Sequence, residues 1–211
     1  QLGFDDHAKH PELTKEEFNL AKDQVTRKAG AFWVDKSPRT TLRGVKHDVI
    51  TVGPPVRGPR MRLNEADQVF VDEEIRKDEV RGQLIRGNSP WGSWAFPSQP
   101  TGVEKKRRVV VDYRQVNSRN LRAIYNLRRC SDMKMESAGS CFFSMNDAVT
   151  GFNQIRNTTR AMKVHAILTE SGCFLPQCLS LGPCNVPEDF VKCVDMTFGL
   201  SKHRTPRLNK Q

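Results

Sequence analysis

The alternation of apolar and polar positions predicts two long helices in the first half of the chain. Thr14 and Glu17 have the spacing of a capping box, and apolar residues then recur at helical spacing, which predicts a helix over 14–29. A second, interrupted apolar stripe predicts a helix over 64–86, closed by Gly87. Its first two turns are rich in acidic residues, as the positive end of the helix dipole favours.

The rest of the chain alternates irregularly between turn-rich segments and short apolar runs. Residues 35–62 carry several Pro and Gly residues and are typical of an extended linker. Beyond Gly87, a further helix is predicted to start at Asn185–Pro187. Short apolar runs predict strands at 93–97, 107–112, 142–147, 164–169 and 173–179. This mixture indicates an α/β or α+β architecture.

Composition excludes several classes of protein. No apolar stretch approaches the roughly 18 to 20 residues that a membrane-spanning helix needs, and no export signal is visible at the N-terminus. The six cysteines form no CxxC pair, which argues against a zinc ribbon or a redox motif and favours reduced thiols in an intracellular protein. The chain starts with Gln, so we expect a fragment or a processed product.

The net charge of +10 is unevenly distributed along the sequence. Residues 101–150 carry ten basic against five acidic side chains, and residues 200–211 form a basic tail without an acid. The densest basic stretch comprises Lys105, Lys106, Arg107, Arg108, Arg114, Arg119, Arg122, Arg128 and Arg129. A stripe of this kind attracts polyanions, because each neutralised phosphate releases counterions. A solvated charged face is the alternative interpretation.

One acidic residue, Asp147, follows the apolar run CFFSM. Such a residue is often a turn or cap residue, but a carboxylate at a strand end can also bind a metal ion.

The succession SPWGSWAFPS, RRVVVDYRQVN, CFFSMNDAVTGFNQI and LSLGPCNVPEDF resembles the reverse transcriptase of gypsy-type long-terminal-repeat retrotransposons and their retroviral relatives. The resemblance covers about residues 47–199.

The resemblance implies an α+β fold, the fingers and partial palm of a right-hand polymerase, preceded by a helical connecting segment. The resemblance implies a connecting segment (1–46) and the fingers and partial palm (63–199), and composition indicates an extended linker between them (47–62) and a basic disordered tail (200–211).

The resemblance also implies the functional residues. In the family, two magnesium ions are held by three carboxylates, and Asp147 matches the first of them. Arg108 matches the arginine that holds the triphosphate of the incoming nucleotide, and Phe152 the aromatic that closes against its sugar. The remaining expected nucleotide-binding residues are Lys105, Lys106 and Gly182, and the expected nucleic-acid-binding residues are Arg107, Arg114, Arg119 and Asn185.

Departures from the family pattern limit the expected activity. The family's second and third metal carboxylates lie in a Tyr-x-Asp-Asp hairpin, expected beyond Phe198, and the sequence contains no such motif. One carboxylate cannot hold two magnesium ions, so we expect this polypeptide not to polymerise alone and to bind Mg²⁺ only when downstream carboxylates complete the site. The implied partners are an RNA or DNA template–primer and a deoxynucleoside triphosphate. The alternative is a non-catalytic nucleic-acid-binding or structural subunit of a larger protein or ribonucleoprotein assembly.

Overall fold

The computed structural model describes residues 8, 11–27, 41–100, 107–123, 125, 129–139, 148 and 150–198. The chain divides into two compact units, Gln1–Thr40 and Thr41–Gln211. In the first unit, α1 spans Lys15–Arg27. The Thr14 amide donates to Glu17 Oε2 (2.9 Å) and the Glu17 amide donates to Thr14 Oγ1 (3.3 Å), which is the predicted capping box. The helix predicted over 14–29 is therefore confirmed in its described part.

The second unit contains five helices and seven short strands within its described residues. The strands are β1 (Lys46–His47), β2 (Leu84–Arg86), β3 (Ser93–Pro97), β4 (Val109–Val111), β5 (Arg156–Asn157), β6 (Ile167–Thr169) and β7 (Gly172–Pro176). The helices are α2 (Glu65–Val80), α3 (Arg114–Asn117), α4 (Cys130–Ser137), α5 (Thr159–Val164) and α6 (Val186–Phe198), and a 3₁₀ turn spans Gly151–Gln154.

Five of the strands form one sheet in the order β2-β7-β6-β3-β4. All neighbouring pairs are antiparallel except β3 and β6, which run parallel. Pro176 pairs opposite Leu84 at the very end of β7, beyond the residues that pair with β6, so its missing amide leaves the centre of the sheet intact. Helices over a mostly antiparallel sheet agree with the expected α+β class.

Helix α2 packs on this sheet. Val71 and Ile75 are buried in one cluster with Leu84, Ala95 and Phe174. The prediction that the helix extends to residue 86 is wrong, because Gly82 adopts a left-handed conformation (φ 69°) that ends the helix. The chain then turns back, and Leu84 joins the sheet as the start of β2.

The proline- and glycine-rich segment before α2 is extended but belongs to the core. Its β1 pairs parallel with β5, and His47 and Val49 are both almost fully buried. The His47 ring stacks on that of His165 with centroids 5.4 Å apart, and its Nδ1 pairs with the Asp189 carboxylate. Residues 47–62 are thus extended, as a linker would be, but His47 and Val49 pack in the core, which the linker interpretation does not predict.

Four of the five predicted strands are confirmed, with shifted bounds except at 93–97. Strands occur within 93–97 and 107–112 as predicted, whereas 164–169 starts as the end of α5, and 173–179 becomes a strand that ends at Pro176. The predicted strand 142–147 lies outside the described residues. Among the described residues, no helix is both long and apolar enough to cross a bilayer.

Asp48 fastens the buried segment to α5. Arg160 donates two hydrogen bonds to its carboxylate, Thr158 donates one from its hydroxyl at 2.6 Å, and the Val49 amide donates another at 2.9 Å. The Arg160 hydrogen bond is the largest cause that lowers the pKa of Asp48 from 3.8 to about 2. The carboxylate therefore stays ionised in the folded protein at pH values where it would be protonated in the unfolded chain.

We expect Asp48→Asn to lower the free energy of unfolding at pH 7, and the difference from the wild type to shrink as the pH falls. The pKa is lowered in the folded state, so the stabilisation is fully present above pH 3.8 and is lost as the pH falls towards about 2. Urea unfolding between pH 7 and pH 2.5 measures this difference. A difference that stays constant over that range would contradict the assignment.

Candidate functional site

Two of the sequence motifs, about 65 residues apart, meet at the edge of the sheet next to β4. The Asn117 side chain joins them: its Nδ2 donates to the Gly182 carbonyl (3.0 Å), and its Oδ1 accepts from the Cys184 amide (3.0 Å). Asn117 ends the VVVDYRQVN run, and Gly182 and Cys184 lie in LSLGPCN. One side chain therefore holds the 179–185 loop against the segment that follows β4.

In this loop, the backbone of Gly182 lies directly against the Tyr113 ring. Its φ is 120°, and a Cβ built at this position would lie 2.7 Å from Cδ2 of Tyr113. The Tyr113 ring is buried, and its hydroxyl donates to the His165 carbonyl at 3.2 Å. Burial raises the pKa of Tyr113 to about 12, so the phenol keeps its proton and acts as a structural donor.

Asn185 is occupied by contacts within the chain. Its Nδ2 donates to the Leu121 carbonyl (2.8 Å), and its Oδ1 accepts from the Ala123 amide (3.3 Å). The residue is only 6% exposed. These bonds hold the chain beyond α3 next to the start of α6. Asn185 therefore positions the backbone at the expected nucleic-acid surface, and both of its amide atoms are already bonded within the chain.

Arg114 lies on the exposed side of the same edge. Its side chain is 82% exposed, and it donates two hydrogen bonds to Asp112, from Nε at 2.8 Å and from Nη2 at 2.7 Å. The hydrogen bonds from Arg114 lower the pKa of Asp112. Arg114 thus neutralises a carboxylate that would otherwise repel phosphate from this surface.

Arg108 directly precedes β4 and is exposed. Its backbone is fixed by Ser98: the Arg108 amide donates to Ser98 Oγ (3.1 Å), and its carbonyl accepts from the Ser98 amide (2.7 Å). Val111 lies three residues further along the strand, and its carbonyl is 3.7 Å from the point where a Cβ on Gly182 would stand. At about 3.3 Å per residue, Arg108 therefore lies roughly 10 Å along the strand from the Gly182 loop.

Phe152 packs against the start of α6. Its ring meets that of Phe190 edge to face with centroids 5.0 Å apart, and both side chains flank the cluster of Ile155, Leu179 and Val186. Phe152 is half-buried.

Two further arginines of the basic stretch differ in their surroundings. Arg119 is exposed, and its guanidinium lies against the backbone of Gly53: a Cβ built there would be 2.9 Å from Nη1. Arg107 is half-buried, in an ion pair with Asp67. Arg119 is therefore open to a ligand, whereas Arg107 already has a partner within the chain.

Three of the predicted site residues, Asp147, Lys105 and Lys106, lie outside the described residues. Within the described ranges, no group of three or more His, Cys, Asp or Glu side chains could hold a metal ion. Sequence reasoning missed Asn117 as a site residue. Its position at the end of the VVVDYRQVN motif was the available signal, but nothing in the sequence shows that an amide there will bridge to a loop 65 residues away.

Comparison with known proteins finds similarity to retrovirus-related Pol polyproteins and, in fold, to reverse transcriptase structures. No family model matches the chain. It is 26% identical over 171 residues to the retrovirus-related Pol polyprotein from transposon 297 of Drosophila melanogaster, a match that covers 78% of this chain and 16% of the polyprotein. It is 28% identical over 142 residues to the corresponding polyprotein from transposon 412 of the same species, with 67% and 11% covered. The chain thus spans less than a fifth of these relatives.

Solved structures share the fold. The foamy viral protease-reverse transcriptase in complex with an RNA/DNA hybrid superimposes with a TM-score of 0.69 at 16% identity, over 90% of this chain and 26% of that one. The same viral protein in complex with dsDNA gives a TM-score of 0.65 at 18% identity, over 89% and 39%. The resemblance to retroviral and retrotransposon reverse transcriptases and the α+β fold are confirmed, whereas the gypsy-type subdivision stays a prediction.

We expect Gly182→Ala to lower the free energy of unfolding by about 2–3 kcal/mol, because the new methyl group meets the Tyr113 ring at a backbone conformation that favours glycine. Gly82→Ala is the matched control: its φ is also positive (69°) but nothing lies within 4 Å, so it carries the backbone cost alone, about 1 kcal/mol. Urea unfolding of both variants provides the comparison. Equal losses would show that the Gly182–Tyr113 contact is not close in solution.

Proposed function

We propose that residues 41–198 form the fingers and early palm of an RNA-directed DNA polymerase and contribute to binding a template–primer and an incoming deoxynucleoside triphosphate. The observation that carries this proposal is the fastening of the Gly182 loop to the segment after β4 through Asn117. That contact assembles one surface from motifs that the sequence alone relates only by their order.

The solved relatives support the nucleic-acid part of the proposal. The foamy viral proteins with this fold are described in complex with an RNA/DNA hybrid and with dsDNA. On this chain, Arg119 is exposed near the assembled edge and supplies a cation of the kind that phosphates require, while the exposed Arg114 neutralises Asp112. Asn185 supports that edge from within.

The nucleotide part of the proposal rests on Arg108. Its side chain is exposed, and Ser98 holds both its backbone amide and its backbone carbonyl by hydrogen bonds. A guanidinium is a multidentate donor suited to a triphosphate. Lys105 and Lys106, two and three residues earlier, would add phosphate contacts. Phe152 would contact the sugar and Gly182 the base pair being formed.

In this proposal, Asp147 is the one magnesium ligand that the chain itself supplies. A pair of magnesium ions would neutralise the triphosphate and activate the attacking oxygen, and Asp147 would supply one of their carboxylate ligands. The part of the chain that the structure describes contains no other candidate metal group, so the remaining carboxylate ligands would come from outside it.

We expect an RNA–DNA hybrid to bind the chain with an affinity that falls steeply with salt, because phosphate contacts release counterions. Arg119→Ala should reduce the slope of log K against log salt by about 1. Arg81→Ala is the matched control, because Arg81 is paired with Asp78 at the end of α2 and should leave the slope unchanged. Fluorescence anisotropy from 50 to 200 mM salt measures both. An affinity independent of salt would refute binding through the basic surface.

Primer extension separates the enzyme from the non-catalytic alternative. The expected outcome is no extension by the 211-residue chain and extension by a longer version that includes the Tyr-x-Asp-Asp carboxylates. Asp147→Asn should abolish extension by the longer version while its affinity for the hybrid stays the same. If the longer version binds the hybrid but never extends the primer, the alternative of a non-catalytic subunit is favoured.

A further inference from the structure

The two consecutive arginines that directly precede β4 differ in exposure, in the alternating manner of a strand. Arg107 is half-buried and Arg108 exposed, and the alternation continues with Val109 partly buried and Val110 exposed. Side chains along a strand alternate with a period of two, so the direction of any one of them fixes the direction of the next. The contacts that hold Arg107 therefore act together with the Ser98 hydrogen bonds to fix the backbone from which the Arg108 side chain leaves.

Two side chains of α2 hold Arg107. Its Nη2 pairs with the Asp67 carboxylate, and its guanidinium lies over the Phe70 ring, with Cζ 4.8 Å from the centroid. Asp67 and Phe70 are three residues apart and so lie on the same face of the helix. A planar guanidinium can bond to a carboxylate through its edge and stack on an aromatic ring through its face.

The helix that provides these contacts is itself fixed. Val71 and Ile75 anchor α2 in the core, next to Phe70 on the same cluster. At its start, the Asp67 amide donates to the Asn64 side chain at 2.8 Å, and the Asp67 carboxylate stands in the first turn, where the helix dipole favours a negative charge. Asp67 and Phe70 are thus rigid partners for the end of a long arginine side chain.

We propose that Arg107, Asp67 and Phe70 form a clamp that orients Arg108 towards the triphosphate of the incoming nucleotide. Arg107 is then a positioning residue and not the nucleic-acid ligand that its place in the basic run suggests. The inference rests on the phosphate-binding role proposed above for Arg108.

For a variant that removes the Asp67 carboxylate, the clamp and simple electrostatics predict opposite changes in the affinity for a polyanion. Removing the Asp67 carboxylate raises the net charge by one, which by itself strengthens the binding of a polyanion. Loosening the clamp weakens that binding, because Arg108 loses its fixed direction and loses more conformational entropy on binding. The sign of the change therefore separates a clamp from an arginine that Asp67 merely holds back from phosphate.

The test measures the binding of inorganic tripolyphosphate to the whole 211-residue chain by isothermal titration calorimetry at fixed salt. Arg108→Ala should weaken binding about 10-fold, the value of one charge-assisted hydrogen bond. Asp67→Asn and Phe70→Leu should each weaken it about 3-fold or more. The matched control is Glu74→Gln, which removes the same charge from the same helix where Glu74 pairs with Lys77, and it should leave binding equal or slightly tighter.

A charge swap supplies the rescue. Arg107→Asp alone should weaken binding, and adding Asp67→Arg should restore most of it, because the ion pair is rebuilt in the opposite order while position 107 no longer carries a cation. A ligand role for Arg107 predicts only the smaller gain that the two units of positive charge added by Asp67→Arg give to the binding of any polyanion. Circular dichroism melts of each variant identify any that fail to fold, in which case Phe70→Leu, which changes no charge, decides.

The outcomes are distinguishable. If Asp67→Asn binds tripolyphosphate as tightly as Glu74→Gln or more tightly, or if the swap fails to restore binding, the clamp is overturned. If Arg108→Ala leaves the affinity unchanged, the phosphate role of Arg108 in the proposed function fails instead.

Discussion

The candidate site depends on the close contact between a glycine and a buried tyrosine ring. Gly182 can lie on Tyr113 because it has no Cβ, and Tyr113 stays in place because its hydroxyl donates to the His165 carbonyl. His165 in turn stacks on His47, and burial together with the nearby His47 lowers the pKa of His165 to about 3, so this ring is neutral in the folded protein. A chain of side-chain contacts thus connects the surface loop to the core.

The arginines of the second unit have two kinds of surroundings, and the sequence does not show which arginine has which. Arg107 and Arg160 are paired with carboxylates on other elements and hold those elements together. Arg108 and Arg119 are exposed: Ser98 holds the backbone of Arg108, and the guanidinium of Arg119 lies against the backbone of Gly53. Some arginines of a basic run therefore hold elements together, and others form a surface for anions. The acidic partners on α2 and near β1 show which arginines belong to the first group.

The sequence predicted much of this structure where local signals decide it. The capping box at Thr14, the strand at 93–97 and the helix start at Val186 each follow from side chains within a few residues, and the family resemblance followed from the order of four motifs. The end of α2 was misplaced because Gly82 and Gly87 look alike in a sequence, and only packing shows which one is left-handed. The burial of His47 and the Asn117 bridge could not be predicted, since both depend on partners more than 60 residues away.

The strand order has a consequence for how the chain folds. β2 and β3 are adjacent in sequence but not in the sheet, because β7 and β6 lie between them. On a ribosome, β3 can pair early with β4, whereas β2 has no partner strand until β7, which ends at residue 176, has been synthesised, and closing such distant contacts is slow. During that interval α2 is the only neighbouring described element that can cover the apolar side of β2 and β3, so an early helix–strand contact would protect the nascent chain from aggregation.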